Sequence, residues 1–236
     1  SRYLSDEAGF AGVPRFLATL MAEFEGATID LMALQGRVPN EGDAWAWAQD
    51  ACARAMKGAA GANVKRWLED EADSISHAAG LGRTTAQLHT ALAGAKGPGL
   101  AATAPEDDDR TDWIGTIHEE AEALLPLLAE GSALRAAVHS VASMTFELPE
   151  NPGLKTRIHG DYHLGQVLIT PDGFVVLDFE GEPARSLRER RTLQSPLADI
   201  AGMVRSWDYA ASSCGRDARS KEAREAAREW GGVMRS

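Results

Sequence analysis

Nothing in the chain constrains its fold as tightly as the run RIHGDYHLGQVLITPDGFVVLDFEGEP, from Arg157 to Pro183. It reads as strand, loop, strand, turn, strand. Arg157-Ile158 leads into the loop His159 to Gln166, and Val167-Leu168-Ile169 is a short apolar strand. Pro171-Asp172-Gly173 is a turn, with glycine where a positive φ is needed. Phe174 to Leu177 is the returning strand, and it delivers Asp178-Phe179-Glu180 at its end. A tight apolar hairpin with polar groups at both ends holds those groups rigidly and close together, as a metal and phosphate site requires.

The chemistry that suits this arrangement is phosphoryl transfer. Such a site uses a carboxylate to orient and deprotonate the attacking hydroxyl, and oxygen ligands for Mg²⁺ on the phosphates. Asp161 is the candidate base. Gln166, five positions on, offers an amide oxygen, and Asp178 a carboxylate. The order H-x-D-x-x-x-x-Q followed by D-F-E parallels the protein-kinase order H-R-D-x-x-x-x-N followed by D-F-G. Gln stands for Asn and Glu180 for Gly; both replacements carry oxygen ligands, so the metal logic survives. Glu180 is read as a further metal ligand or a sugar acceptor. His163 occupies the position of a catalytic-loop lysine and is a candidate contact for the transferring group. His159 is read as structural, tying the loop to the Asp178 turn.

The runs HGDYHLGQVL, DFEGEP and SPLADIAGMVRSWDYAA resemble the actinobacterial maltokinases. The related glucosamine kinases share nearly the same pattern, and both groups are kin to aminoglycoside phosphotransferases. The likeness spans Arg157 to Ala211, with a weaker echo at Val38 to Asp43. It implies an α+β, mostly helical chain: a protein-kinase-like C-terminal lobe, a remnant β-hairpin of the N-lobe and a short catalytic β-hairpin. It places the end of the N-lobe and the hinge at residues 1–38 and the helical lobe at 39–236. Gln35, Arg37 and Val38 would then face ATP, and Glu180, Glu182 and Arg185 the sugar. Mg²⁺ and ATP are the implied cofactor and co-substrate. Neither a nucleotide loop nor a phosphate-binding lysine is found upstream of the hinge, and the relatives continue further, so the chain reads as a fragment.

With 236 residues, the chain is long enough for a real core. A net charge of −11 disfavours a nucleic-acid partner. Cys52 and Cys214 lack metal-ligand spacing and are expected as buried or free thiols in a reducing compartment. No apolar run reaches about 18 residues and no signal peptide is recognised at Ser1, so a cytoplasmic protein with small-molecule partners and no membrane contact is expected. The sequence says nothing of oligomeric state.

In chain order, Ser1 to Pro14 reads as irregular. Arg15 to Phe24 and Ala27 to Val38 read as a hairpin turning at Glu25-Gly26, with an amphipathic helix over RFLATLMAEF as the alternative. Asp43 caps a helix from Ala44 to Lys57, which Gly58 and Gly61 break. Trp45 and Trp47 on it suit core packing, with stacking on a sugar or adenine as the alternative. Asn63 to Ala79 and Leu81 to Ala93 are helical, interrupted at Gly80-Leu81-Gly82, with Leu81, Leu88 and Leu92 facing the core. His77 and His89 are read as solvated or hydrogen-bonded. Gly80-Leu81-Gly82 lacks the strand a nucleotide loop follows, and Asn63-Val64-Lys65 lies on the wrong element for a kinase lysine. After a linker at Lys96 to Glu106, Asp107-Asp108-Asp109 precedes helices at Thr111 to Glu130 and Ser132 to Phe146. Ala184 to Gln194 reads as a charged loop. Ser195-Pro196 starts a helix with Leu197, Ile200, Ala201, Val204 and Trp207 on one face; the resemblance implies that it packs under the catalytic loop, with its polar Asp199, Arg205 and Asp208 bracing that loop. Asp217 to Trp230 is the last helix.

Three functions fit. The first is a maltokinase phosphorylating the anomeric hydroxyl of maltose for α-glucan (glycogen) synthesis. The second is a glucosamine kinase or another sugar or aminoglycoside kinase. The third is a non-catalytic binding module.

Overall fold

The structure is a computed structural model that describes residues 1–24, 27–59, 72–147, 149–216, 218 and 220–236. The expected turn at Glu25-Gly26, the Gly61 break, the Asn63-Val64-Lys65 triplet and the Asp217 helix start lie outside the described residues. The chain forms two compact units, one of residues 1–102 and 156–236, the other of residues 103–155.

In the first unit, Tyr3–Glu7 closes a π-helical turn in the segment expected to be irregular, and this buries Leu4. Two antiparallel strands follow, β1 (Phe16–Phe24) and β2 (Ala27–Gln35), as the alternation predicts. Leu17, Leu20, Met21, Leu31, Met32 and Leu34 on this hairpin are all exposed, since two strands alone have no core to bury them in.

Helix α1 (Ala44–Ala59) starts where Asp43 Oδ1 accepts from Ala46 N at 2.7 Å, the expected N-cap. It runs through Gly58 rather than stopping there. Ala44, Ala48, Ala51, Cys52 and Ala55 form its buried stripe. Helix α2 (Ala72–Ala93) is unbroken at Gly80-Leu81-Gly82. A Cβ at Gly80 would sit 3.0 Å from the Phe174 ring, so this glycine makes room for packing instead of ending the helix. Leu81, Leu88 and Leu92 are buried as expected. His77 Nδ1 donates to the Asp73 carbonyl and its ring stacks on Trp47, whose edge meets Trp207. Trp47 is therefore a packing residue.

The second unit holds α3 (Asp107–Leu124) and α4 (Ala133–Ala142), joined by a 3₁₀ turn at Leu125–Leu127. Asp107-Asp108-Asp109 is the first turn of α3, and Glu106 and Asp109 close a capping box. Asp109 also pairs with Lys155. Ser132 caps α4 through Arg135 N, as expected. The apolar Leu124, Leu127 and Leu134 are exposed.

Back in the first unit, the catalytic hairpin is β3 (Val167–Thr170) and β4 (Gly173–Val176). Val167 pairs with Val176 and Thr170 with Gly173, whose φ of +131° is the one the turn requires. The strand expected at Arg157-Ile158 is reduced to a single bridge between Thr156 and Gln194. Ala184 to Gln194 is not all loop: α5 (Leu187–Arg190) forms within it, under a Ser186–Glu189 capping box. Helix α6 (Leu197–Arg216) and helix α7 (Lys221–Met234) complete the unit, and Ser220 caps α7 through Ala223 N. The inward face of α6 is Asp199, Met203, Ser206, Trp207 and Ala210, while Leu197, Ile200 and Ala201 stay exposed. Apolar periodicity mislocates that face because the loop beside it needs the polar Asp199 and Ser206. Neither Cys52, which is buried, nor Cys214 forms a disulfide, and Cys214 Sγ donates to the Gln49 carbonyl at 3.5 Å. No described helix is long and apolar enough to cross a membrane.

Candidate active site

Four elements of the first unit build the site around the loop from His159 to Gln166. The loop is hung on α6. Asp199, only 2% exposed, accepts from His159 N and Gly160 N at 2.9 Å each, and from His89 Nε2 on α2 at 2.9 Å. One buried carboxylate thus fixes two successive backbone amides and one imidazole, as a buried charge must to be tolerated. Leu164 N donates to Ser206 Oγ at 3.1 Å, about two turns further along α6. Between those anchors a Cβ at Gly202 would lie 2.7 Å from the Tyr162 carbonyl oxygen. Only glycine lets the helix come this close. Gly202→Ala is expected to cost about 1–3 kcal/mol through overpacking, read as a lower midpoint in thermal unfolding, with wild-type stability contradicting the close approach.

Inside the loop, Tyr162 is buried and its hydroxyl lies 2.9 Å from that of Thr85. Thr85 spends its own proton on the Leu81 carbonyl, so Tyr162 is the donor. Burial pushes the phenol up to about 12, which keeps it a neutral structural pin.

His159 links the loop to the end of β4. Its Nε2 donates to the Leu177 carbonyl at 2.7 Å, and its Nδ1 accepts from Asp161 N at 3.3 Å. A carbonyl only accepts, so the ring is the neutral Nε2–H tautomer. Burial holds this imidazole below the ordinary histidine range, and the Leu177 carbonyl and the carboxylates of Asp199, Asp161 and Asp178 oppose that effect. The sign follows: below the ordinary value near 6.5 the unfolded chain takes up a proton that the folded ring refuses. Stability from His159 is complete above about pH 6.5 and falls by up to about 1.4 kcal/mol per pH unit below it. The difference in unfolding midpoint between wild type and His159→Gln is expected to shrink from pH 7.5 to pH 5; a constant difference would contradict the neutral assignment.

The polar residues now fall into place. Asp161 is a quarter exposed, and its Oδ2 lies 3.9 Å from His163 Nε2. His163 Nδ1 accepts from Gly165 N at 3.0 Å, which turns Nε2 toward Asp161. At the far side of the loop, Gln166 Nε2 donates to Asp178 Oδ2 at 3.4 Å. Leu177 N donates to the Gln166 carbonyl at 2.8 Å, so the main chain fixes that pair as well. Asp178 has φ +56°, the single positive φ at a non-glycine among the described residues. Such strain gathers at functional sites.

Glu180 is exposed, and among the described residues only its carbonyl has a partner, Arg190 Nη1 at 3.3 Å. Arg190 also packs on Gly181, whose Cα approaches Gly160. The arginine that touches this turn is therefore Arg190, not Arg185, which is exposed and bonds through its backbone to Glu182. Glu182 N donates to the Gly160 carbonyl at 3.2 Å, which brings the Glu182 backbone beside the loop. Gln35 ends β2, and Arg37 and Val38 lie in the connection to α1, where Asn40 Nδ2 donates to the Val38 carbonyl. Glu41 N and the Gly42 carbonyl bond to Ile169 on β3, tying that connection to the catalytic hairpin.

Sequence reasoning did not single out Thr85 or Gly202, preferred Arg185 to Arg190, and read His89 as solvated or hydrogen-bonded without naming Asp199 as its partner. Only Gly202 left a signal: glycine inside a helix costs about 1 kcal/mol against alanine, so it calls for a reason such as close approach.

Among the described residues no three His, Cys, Asp or Glu side chains converge as a metal cage. Gln166 and Asp178 do converge, and no described donor engages Gln166 Oε1 or Asp178 Oδ1. Two hard protein oxygens, with room for phosphate and water, fit magnesium, which binds through one or two carboxylates plus substrate phosphates.

The comparisons agree with this architecture. A glucosamine kinase from Streptacidiphilus jiangxiensis is 30% identical over 204 residues, which are 85% of this chain and 43% of that protein. One from Mycolicibacterium smegmatis is 28% identical over 208 residues, 86% of this chain and 48% of the relative. The chain thus spans about half the length of the curated relatives it matches. Among solved structures, a glucosamine kinase in complex with glucosamine, ADP and inorganic phosphate superposes with a TM-score of 0.73 at 22% identity, over 99% of this chain and 55% of that one. A second crystal form of a glucosamine kinase gives 0.71 at 22%, over 99% and 53%. This is the kinase-like, mostly helical fold the sequence implies. The profile of the phosphotransferase enzyme family matches residues 12–233, so the chain belongs to that family.

Proposed function

We propose that the chain carries the catalytic lobe of an ATP-dependent sugar kinase. The observation that supports this most directly is the pairing of Gln166 with Asp178, 3.4 Å apart, at the end of a hairpin whose loop presents Asp161. Asp161 orients the acceptor hydroxyl and takes up its proton. His163 lies beside Asp161 and presents Nε2 to the same space. Gln166 and Asp178 hold the magnesium of the nucleotide, with Glu180 as a further candidate ligand. That ion, when bound, offsets the charge of the phosphates, which would otherwise repel the carboxylates. Two unit charges 4 Å apart cost roughly 4 kcal/mol at an effective dielectric of about 20. Gln35, Arg37 and Val38 remain the candidate adenine-side residues, and Glu182 and Arg185 candidate sugar contacts.

Glucosamine is the first acceptor of choice, because both curated relatives bear that name. Maltose, suggested by the loop motifs, is the second. The test is ADP release from Mg–ATP with glucosamine, maltose, glucose and an aminoglycoside. Sugar-dependent release above that of Asp161→Asn is expected. Release that no acceptor stimulates would overturn the proposal and favour a non-catalytic binding module.

A further inference from the structure

Beside the catalytic loop lies a hollow of about 660 Å³, bounded by Trp45 on α1, His163 and Gly165 on the loop, and Arg205, Ser206 and Tyr209 on α6. Its size is that of a small-molecule site. Its walls differ from the core. Trp45 is half-buried, and Tyr209 is 61% exposed with no described partner for its hydroxyl. Their ring centroids are 5.9 Å apart and tilted by 36°. Trp47, two residues on, is by contrast packed between His77 and Trp207. Arg205 is exposed and has neither an ion pair nor a hydrogen bond among the described residues. The nearby Asp208 is engaged by Arg235.

We infer that this hollow seats the pyranose ring of the acceptor, an assignment that rests on the kinase reading above. The C–H face of a pyranose is apolar and its rim is ringed by hydroxyls. Trp45 and Tyr209 supply large rigid aromatic faces for the first. Arg205 supplies a planar fork of donors for the second. His163 is shared between the hollow and Asp161, its Nε2 lying 3.9 Å from the carboxylate. A ring in the hollow therefore has one edge beside His163, the side chain next to the base. Among the described residues the lining carries a guanidinium and no carboxylate, so it recognises ring hydroxyls, and an acceptor amine is bound outside it.

Sugar binding is measured by saturation-transfer NMR on the chain without nucleotide, using glucose, glucosamine and maltose in turn. At least one is expected to bind. Tyr209→Ser and Arg205→Gln, both at exposed positions, are each expected to weaken that sugar about tenfold while the unfolding midpoint stays unchanged. Tyr209→Phe is expected to bind as wild type does. In turnover, the same two variants raise KM for the sugar and leave KM for ATP unaltered. Wild-type affinity in both variants, or no binding of any of the three sugars to the wild-type chain, overturns the assignment. Sugar binding that depends on Tyr209 in a chain that never forms ADP upholds the hollow and defeats the kinase reading, so the two failures are separable.

Discussion

Asp161→Asn is expected to lower kcat by about 10²–10⁴-fold, the usual contribution of a positioned general base. An amide retains the shape of the carboxylate and its hydrogen bonding to a hydroxyl, but it takes up no proton. KM for ATP and for the sugar is expected to stay within about twofold, because the lost interaction belongs to the transition state. The fold is expected to survive: Asp161 is tethered through its backbone to His159, and its side chain is partly solvated. Steady-state kinetics together with a thermal melt decide the matter. A variant with wild-type turnover, or one whose lost activity tracks a lowered melting point, contradicts the role.

Asp199→Ala is expected to give the largest loss of stability. It removes the common acceptor of His159 N, Gly160 N and His89 Nε2 in a place sealed from water. Stripping one partner from a buried charged network costs about 3–5 kcal/mol. For a domain of this size that lowers the unfolding midpoint on the order of 10 °C. Asp199→Asn keeps one acceptor oxygen and turns an amide N–H toward a donor, so an intermediate loss is expected. Turnover falls in both, because the loop that presents Asp161 loses its anchor. A midpoint within 2 °C of wild type for Asp199→Ala would show that the loop does not depend on this carboxylate.

The parts of the site legible in the sequence are those written in adjacent residues. The β3–β4 hairpin was readable from apolar runs around Pro171-Asp172-Gly173, and the start of α1 from Asp43. The tethering role of His159 followed from motif and position, and the bracing role that the resemblance implied for Asp199, Arg205 and Asp208 holds for Asp199 alone, since Arg205 is exposed without a described partner and Asp208 pairs with Arg235. What stayed hidden are pairings across long stretches of chain. His89 and Asp199 are 110 positions apart, and Thr85 and Tyr162 are 77 apart. No periodicity records such a partner. The inward face of α6 was hidden for another reason. Apolar spacing selects Leu197, Ile200 and Val204, but the loop's free amides recruit Asp199, and its close backbone requires Gly202. Polar demand from a neighbour overrode the hydrophobic pattern. Gly80 of α2 misled similarly: it reads as a helix interruption and serves as a notch for the Phe174 ring. Trp45 and Trp47 looked alike in sequence, and only the fold separates the packed ring from the one that lines the hollow.

The central claim is that Gln166 and Asp178 share one cation on the nucleotide's phosphates, with Asp161 beside it. Crystals grown with manganese and a non-hydrolysable ATP analogue test it directly, since manganese stands in for magnesium and is located by its anomalous scattering. The account predicts a peak within about 2.3 Å of both Gln166 Oε1 and an Asp178 carboxylate oxygen. A peak ligated by neither side chain, or no peak at saturating metal nucleotide, would contradict it.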